Sequence, residues 1–282
     1  MIKVDVTYSI GNGNQVLDFV FDCEIPKEKI SIIYGKSGVG KTTLLRLLAG
    51  LDKPDEGVIS ESNNVWFHSG TRVNLSPIQR ETRLVFQEST LFPNMSVKEN
   101  LDFAKTTFSS SDYCEEIITG LQLTELLNLY PNQLSGGQAQ RVSIGQMLIG
   151  KPSNLFMDEP LTSLDHKVRS EIQEFIKTVQ NKYQMTMVIV SHDLEETFKL
   201  SDYVILLESG SNIKQGCPFE VFKGQIIENN TCIGNVIRIN EISEDRIRVY
   251  ILVGNQIIKQ THPKAIIANY SLGSEVEIKF EK

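Results

Sequence analysis

Short apolar runs alternate with longer amphipathic segments through most of the chain. Three runs, at residues 30–34, 155–157 and 185–190, are almost continuously apolar, which is typical of strands buried on both faces. Between them, apolar residues recur at helical spacing, for example at residues 117–127. This alternation predicts an α/β fold built around a buried sheet.

Alternating polar and apolar residues occur at both ends of the chain. Residues 1–34 contain two such extended runs and predict antiparallel strands. From about Asn229 onward helical spacing disappears, and strand-like alternation returns near the C-terminus. The sequence therefore predicts one α/β domain over residues 1–228 and a small all-β module over residues 229–282.

One glycine-rich segment has the strongest chemical signal. It is Gly35-Lys36-Ser37-Gly38-Val39-Gly40-Lys41-Thr42, which fits the phosphate-binding pattern G-x-x-x-x-G-K-[ST] and lies between a predicted strand and a predicted helix that continues with Thr43. Glycines let successive backbone N–H groups converge on phosphate oxygens at the positive end of the helix. Lys41 is expected to reach the β- and γ-phosphates and Thr42 to bind Mg²⁺. A chance match at a glycine turn is the alternative.

A second helix start of the same kind follows Leu134. Ser135, Gly136, Gly137 and Gln138 open an apolar helix, so a second anion-binding site is expected there. An aromatic side chain near the N-terminal strands, Tyr8 for preference, is expected to stack on an adenine ring. A strand-end tyrosine that packs on its neighbours is the alternative.

Polar residues follow three of the predicted strands directly. Asp158 is expected to hold Mg²⁺, and Glu159 to orient and polarise an attacking water. Gln87 is placed to reach the ligand as a catalytic group and metal ligand, and His192 to bond the γ-phosphate. The alternatives are solvated acids, a solvent-facing glutamine and a structural histidine.

An unusually apolar loop follows Gln87. It covers residues 91–97, from Leu91 to Val97, and is expected either to pack inward or to meet a partner. Ser96 with Glu99 three positions later predicts a capping box that opens a helix.

Composition narrows the class of protein. Hydrophobic residues make up 40% of the chain and charged residues 22%, as in ordinary globular proteins. A net charge of −7 argues against a general nucleic-acid-binding surface. We expect a cytoplasmic protein, since the N-terminus lacks the apolar core of a signal peptide and no run of apolar residues is long enough to span a bilayer. The four cysteines have no metal-ligand or redox spacing.

Together these segments resemble the ATP-binding cassette (ABC) ATPases over roughly residues 1–228. The matching parts are the phosphate-binding loop, Gln87, the signature at residues 134–138, the Asp158-Glu159 pair, the turn at residues 163–165 and His192. The resemblance implies a P-loop NTPase cassette: a mixed sheet core, an antiparallel β subdomain and a helical subdomain at about residues 88–150. It also implies a homodimer that sandwiches two ATP molecules, each between the P-loop of one cassette and the signature of the other.

Within the family, the short loops and residues 86–93 look like those of oxyanion importers, molybdate importers above all. Residues 33–42 resemble theirs, and so does a β-rich C-terminal module, which is here a truncated form of an oligonucleotide-fold-like barrel. Gln146 stands where many cassettes carry arginine, and Asn154 interrupts the usual apolar residues before the acidic pair.

The resemblance implies ATP hydrolysis coupled to solute uptake. The partners it implies are membrane permease subunits, docked near residues 91–97, and indirectly an extracytoplasmic solute-binding protein; the location it implies is peripheral, on the cytoplasmic face of the membrane. Importers of sulfate, another anion or an amino acid are alternatives. The C-terminal module is either a ligand sensor or a stabiliser of the dimer.

A soluble, non-transport cassette acting on DNA or the ribosome is a further alternative. Residues 42–134 leave no room for the long coiled coil of chromosome-type members. Ribosome-type members usually join two cassettes, and this chain has one.

Overall fold

The computed structural model describes residues 1–12, 15–208, 213–222, 231–253, 256–265, 271 and 274–279. The chain divides into two compact units, Met1–Val221 and Phe222–Lys282. The boundary predicted between residues 228 and 229 falls in the segment 223–230, outside the described residues, and stays a prediction.

A six-stranded sheet forms the centre of the first unit. Its strand order is β11-β10-β3-β9-β8-β7, and every neighbouring pair is parallel except β10 with β11. Strands β8 and β9 are buried along their whole length, as their apolar runs predict. The strands are β3 (Ile30–Gly35), β7 (Thr82–Val85), β8 (Asn154–Asp158), β9 (Thr186–Ser191), β10 (Tyr203–Leu207) and β11 (Ile213–Gly216).

The same unit also contains a five-stranded antiparallel sheet in the order β2-β1-β4-β5-β6. Ile2, Val4 and Val6 alternate inward and share one hydrophobic core with helix α1 and the central strands. The strands are β1 (Ile2–Asn12), β2 (Gln15–Ile25), β4 (Glu56–Glu61), β5 (Asn64–His68) and β6 (Val73–Asn74).

Seven α-helices occur in the described part of the first unit. They are α1 (Lys41–Ala49), α2 (Val97–Phe103), α3 (Ser111–Gly120), α4 (Gly136–Ile149), α5 (His166–Tyr183), α6 (Leu194–Leu200) and α7 (Pro218–Val221). The capping box of Ser96 and Glu99 opens α2, as predicted. Helices α2 to α4 lie within residues 88–150, where the resemblance implies a helical subdomain. None of the described helices is both long and apolar enough to cross a membrane.

The helical pattern at residues 117–127 does not form one helix. Helix α3 ends at Gly120, Gln122 takes a left-handed φ of 55°, and a short 3₁₀ turn follows at Thr124–Leu126. The ring of Phe175 lies so close to Gly120 that a β-carbon there would meet it at 2.0 Å. A contact with a residue distant in sequence therefore accompanies a helix end that periodicity does not reveal.

The second unit is a four-stranded antiparallel sheet in the order β14-β13-β12-β15. Ile247, Val249 and Ile251 alternate into its small core together with Val236. The strands are β12 (Thr231–Ser243), β13 (Arg246–Val253), β14 (Gln256–Pro263) and β15 (Glu275–Lys279). The predicted all-β character is confirmed, while the likeness to an oligonucleotide fold stays a prediction.

Candidate nucleotide-binding and hydrolysis site

The glycine-rich loop connects the end of β3 at Gly35 to the start of α1 at Lys41. Gly38 and Gly40 have φ values of 83° and 99°, in the left-handed region that glycine adopts without strain. A β-carbon on Gly40 would also lie 2.7 Å from the ring of Phe19, so any side chain at this position would disturb the loop. The chain thus forms the predicted strand, loop and helix at the predicted residues.

Lys41 is buried at the start of α1, directly after this loop. Its ammonium group donates to the carbonyl oxygens of Gly35 and Lys36, at 2.9 Å each. Burial lowers the pKa of Lys41, and the nearby carboxylates of Glu159 and Asp158 oppose that shift. The charge of Lys41 is therefore held at the loop that would receive a phosphate.

Thr42 and Asp158 form the candidate metal site. The Thr42 hydroxyl donates to Asp158 Oδ1 at 3.2 Å, which joins the start of α1 to the end of β8. Burial raises the pKa of Asp158, the Thr42 bond lowers it and the neighbouring Glu159 raises it. A buried carboxylate beside a hydroxyl offers the oxygen ligands that Mg²⁺ prefers, so these residues fit the ion. Gln87 is exposed just beyond β7 at the same edge of the sheet, and its role stays a prediction.

Glu159 and His192 follow the neighbouring parallel strands β8 and β9. Their side chains meet, with His192 Nδ1 3.1 Å from Glu159 Oε1. They line a cavity of about 250 Å³ together with Arg169, Asp193 and Glu196. The structure thus brings together the predicted water-orienting acid and the predicted phosphate-binding histidine.

The signature residues surround a separate cavity of about 460 Å³ at the start of α4. Ser135 Oγ accepts from the Gln138 amide at 3.2 Å, and Gln138 Oε1 accepts from the Ser135 amide at 2.8 Å. Gly136 and Gly137 lie in the first turn, where a β-carbon on Gly137 would meet the Ser163 carbonyl at 2.9 Å. This cavity shares no lining residue with the one beside Glu159 and His192.

Tyr8 is half-buried on β1. Burial is the first cause of its raised pKa; the charges of Asp52 and Asp55 raise the pKa further, and that of Arg46 lowers it. Phe19 and Phe21 lie against the P-loop at Gly40, and sequence reasoning missed both. Phe19 stacks on Phe21 at 5.8 Å, and both line a cavity of about 460 Å³ beside the loop. Adenine stacking by Tyr8 stays a prediction.

A sequence model of the ABC transporter family matches residues 20–162. The chain belongs to the ABC transporter family. Among curated relatives, it is 37% identical over 209 residues to the molybdenum import ATP-binding protein ModC of Shewanella sp. (strain MR-4), which covers 74% of this chain and 57% of that protein. It is 38% identical over 215 residues to ModC of Photobacterium profundum, covering 76% of this chain and 59% of that one. The chain thus spans little more than half the length of these relatives.

Solved ABC cassettes share the fold. The dimeric structure of MJ0796, a bacterial ABC transporter cassette, has a TM-score of 0.65 and 27% identity, and the match covers 77% of this chain and 99% of that one. A dimeric post-hydrolysis state of MJ0796 bound to ADP and Pi matches with the same TM-score and 26% identity. The predicted family and cassette fold are therefore confirmed.

Glu196 is a further residue of this ABC cassette site that sequence reasoning missed. It is buried on α6, where Ser191 Oγ donates to it at 2.5 Å and Gln173 Nε2 at 3.3 Å. Burial raises its pKa, its two hydrogen bonds oppose that shift, Asp193 raises it and Arg169 lowers it. An acid in the first turn of a helix is ordinary, since it complements the helix dipole, and so it gave no signal.

The two departures from the usual cassette pattern lie outside the site. Gln146 is buried on α4 and donates to the Asn100 carbonyl at 3.3 Å. Asn154 begins β8 and donates to Glu61 Oε1 at 3.4 Å and to the Arg80 carbonyl at 3.5 Å.

Proposed function

We propose that this chain is the ATP-hydrolysing subunit of an ABC importer that takes up molybdate or a related oxyanion. The observation that carries the ATPase part is the contact of Glu159 with His192, at 3.1 Å, beside the Thr42–Asp158 pair. An acid, a histidine and a candidate metal site at one sheet edge, next to a P-loop, are the parts that phosphoryl transfer to water needs.

Each group has one task in this proposal. Lys41 and the loop N–H groups neutralise the phosphate charge, and Thr42 and Asp158 hold Mg²⁺, with Gln87 as a further ligand. Mg²⁺ supplies charge stabilisation at the transferring phosphate. Glu159 orients and polarises the attacking water, and His192 bonds the γ-phosphate. Catalysis is then mainly positioning and electrostatic stabilisation.

A homodimer completes the site. The signature residues form their own cavity, with no lining residue in common with the Glu159 cavity, so a second chain is a suitable source of the signature that closes each ATP site. The dimeric MJ0796 cassettes support this arrangement.

The surface around Phe92 is the proposed docking site for the permease. Phe92 and Phe103 are both exposed, and their rings pack edge to face at 4.8 Å. Buried Asn100 fixes the loop: it accepts from the Phe92 amide at 2.8 Å and donates to the carbonyls of Met95 and Ser96. Val97, at the end of the loop, packs inward. A rigid, exposed apolar pair suits a membrane subunit, and hence a position at the cytoplasmic face of the membrane.

The ATPase is tested with Glu159→Gln. We expect turnover to fall about a hundredfold or more, because the amide cannot accept a proton from water, while ATP binding and dimer formation persist. Glu195→Gln, at an exposed position on α6, is the control and should keep full turnover. Near-normal turnover of Glu159→Gln would remove Glu159 from this role.

Docking is tested with Phe92→Glu in the assembled transporter. Transport-linked ATPase should fall, while the ATPase of the isolated chain stays unchanged. Phe108→Glu, at another exposed phenylalanine, is the control. Equal effects of the two substitutions would contradict the docking site.

The importer and its substrate are tested by co-purification of the tagged chain from native membranes. A multi-span permease and an oxyanion-binding protein are the expected partners. The ModC relatives are the basis for molybdate. Ribosomal proteins or DNA-repair factors would overturn the importer while leaving the ATPase chemistry in place.

A further inference from the structure

Glu159 has an unusual backbone. Its φ is 44°, in the left-handed region that residues with a β-carbon rarely adopt. Such conformations persist where the surroundings hold them, and they cluster at functional sites. Here the Glu159 amide donates to the Val190 carbonyl at 3.2 Å. The Glu159 carbonyl accepts from Thr162 Oγ1 at 3.1 Å and from Gln140 Nε2 at 3.2 Å.

Gln140 belongs to the helix that the signature opens. It lies on α4, five positions after the capping Ser135, and is 3% exposed. Both ends of its amide are used, since Oε1 accepts from the Ser163 amide at 3.3 Å and from the Ser163 hydroxyl. One side chain therefore ties the first turns of the signature helix to the loop that carries Glu159.

We propose that Gln140 is a positioning residue for Glu159 and that it couples the two ATP sites of the dimer. The coupling rests on the proposed function, in which the signature of a chain meets the ATP of its partner while Glu159 acts on the ATP at its own P-loop. Gln140 then connects a group that serves one ATP to a group that serves the other.

The connection is short and rigid. Five helical residues span about 8 Å, and backbone hydrogen bonds hold them as one body. A displacement of the signature turn on phosphate binding therefore moves the Gln140 amide with it. Because that amide holds the Glu159 carbonyl, the carboxylate approaches its working position only when the signature is engaged. Small misplacements of catalytic groups have large effects on rate.

A packing role for Gln140 is the competing explanation, and α4 contains the matched control. Gln146 lies on the same helix, is 4% exposed and likewise donates from its amide to a backbone carbonyl, that of Asn100. Its partner lies outside the site. Gln146→Met removes a buried amide bond from the same helix without touching Glu159.

The test compares Gln140→Met and Gln146→Met in the full chain, with ATPase rate against ATP concentration and thermal unfolding as readouts. For Gln140→Met we expect kcat to fall about tenfold or more, KM for ATP to change less than about twofold, and the Hill coefficient to fall toward one. Gln146→Met should lose similar thermal stability yet keep both kcat and the Hill coefficient.

Thr162→Val separates positioning from coupling. Thr162 holds the same Glu159 carbonyl but does not belong to the signature helix. This variant should lower kcat while the Hill coefficient stays at the wild-type value.

The proposal would be overturned if Gln140→Met kept the wild-type kcat and Hill coefficient. It would also be overturned if Gln140→Met and Gln146→Met lost kcat equally. A fall of the Hill coefficient in Thr162→Val equal to that in Gln140→Met would overturn the coupling. Near-normal ATPase activity of the Glu159→Gln variant would instead overturn the proposed function on which the coupling rests.

Discussion

Arg80 should stabilise the cassette strongly, although none of the acidic residues that the structure describes forms an ion pair with it. It is 1% exposed, and its guanidinium donates to the carbonyls of Leu47, Leu48 and Leu75 at 2.7, 3.0 and 2.9 Å and to the Asn74 amide oxygen at 3.1 Å. Burial lowers the pKa of Arg80 to about 10, so the side chain stays charged near pH 7. Two of its acceptors lie in the last turn of α1, the helix that begins with Lys41 and Thr42.

Arg80→Met removes these donors while keeping a long side chain against Trp66. The Leu47 carbonyl keeps a hydrogen bond from the Gly50 amide at 3.2 Å. The cost of the lost donors therefore falls mainly on the carbonyl oxygens of Leu48 and Leu75. Each buried acceptor deprived of its donor costs about 1–3 kcal/mol. We therefore expect the free energy of unfolding to fall by about 4 kcal/mol, the middle of the summed range. For a domain of this size that corresponds to a drop in melting temperature of roughly 8–16 °C.

Chemical and thermal unfolding measure this loss of stability, and Arg46→Met is the control variant. Arg46 lies on α1 itself and pairs with Asp52 at 2.7 Å near the surface, where such a pair contributes about 1 kcal/mol at most. A loss in Arg80→Met no larger than in Arg46→Met would refute the reasoning. It would mean that the cost of desolvating the guanidinium equals the energy of its hydrogen bonds.

Three further substitutions test other parts of the structure. Burial raises the folded-state pKa of Glu196, so the free energy of unfolding of the wild-type chain should fall as pH rises above the unfolded pKa of about 4.5. Denaturation experiments from about pH 4 to pH 8 should therefore show that the free energy of unfolding of Glu196→Gln increasingly exceeds that of the wild type. A constant difference would contradict this. Gly40→Ala, at φ 99° and against Phe19, should weaken ATP binding about tenfold or more in a nucleotide titration. Asn154 Oδ1 is buried and has no hydrogen-bond partner among the described residues, while the two bonds that Asn154 Nδ2 donates are long, at 3.4 and 3.5 Å. Asn154→Leu should therefore raise the unfolding free energy by about 1 kcal/mol with kcat unchanged; a loss of stability would contradict this.

The sequence predicts the contacts of the site where two simple rules apply. Parallel strands bring their carboxyl ends to one edge, so residues that follow β8 and β9 directly are expected to meet there, and Glu159 and His192 do so. The P-loop pattern likewise places Thr42 at the start of a helix, where it reaches Asp158. A contact between residues distant in sequence can therefore be predicted when each residue is located relative to a strand end or a motif.

The contacts that escape prediction join side chains in the interior of helices to loops. Gln140 and Gln146 lie six positions apart on one apolar helix, and no periodicity distinguishes the amide that holds Glu159 from the one that bonds Asn100. Glu196 is hidden for the same reason, because its burial depends on how α6 packs on α5. The left-handed φ of Glu159 also has no sequence signal, since neither a glycine nor an asparagine marks it.

Polar residues at the two edges of the central sheet differ in the groups to which they hydrogen-bond. At the amino edge, Thr82, Asn154 and Thr186 occupy one row of paired residues, and each bonds a backbone group: the Ala49 carbonyl, the Arg80 carbonyl and the Glu28 amide. One side-chain pair also occurs in this row, between Asn154 and Glu61. At the carboxyl edge, polar residues bond other side chains, in the pairs Thr42–Asp158, Glu159–His192 and Ser191–Glu196. Most side-chain hydrogen bonds in proteins go to backbone or water, so a concentration of side-chain pairs at one edge is unusual. Asn154 lies four strand residues, about 13 Å, from the Asp158 end. A residue that departs from the usual cassette pattern at the amino edge, such as Asn154, therefore alters packing. A departure at the carboxyl edge would alter the arrangement on which hydrolysis depends.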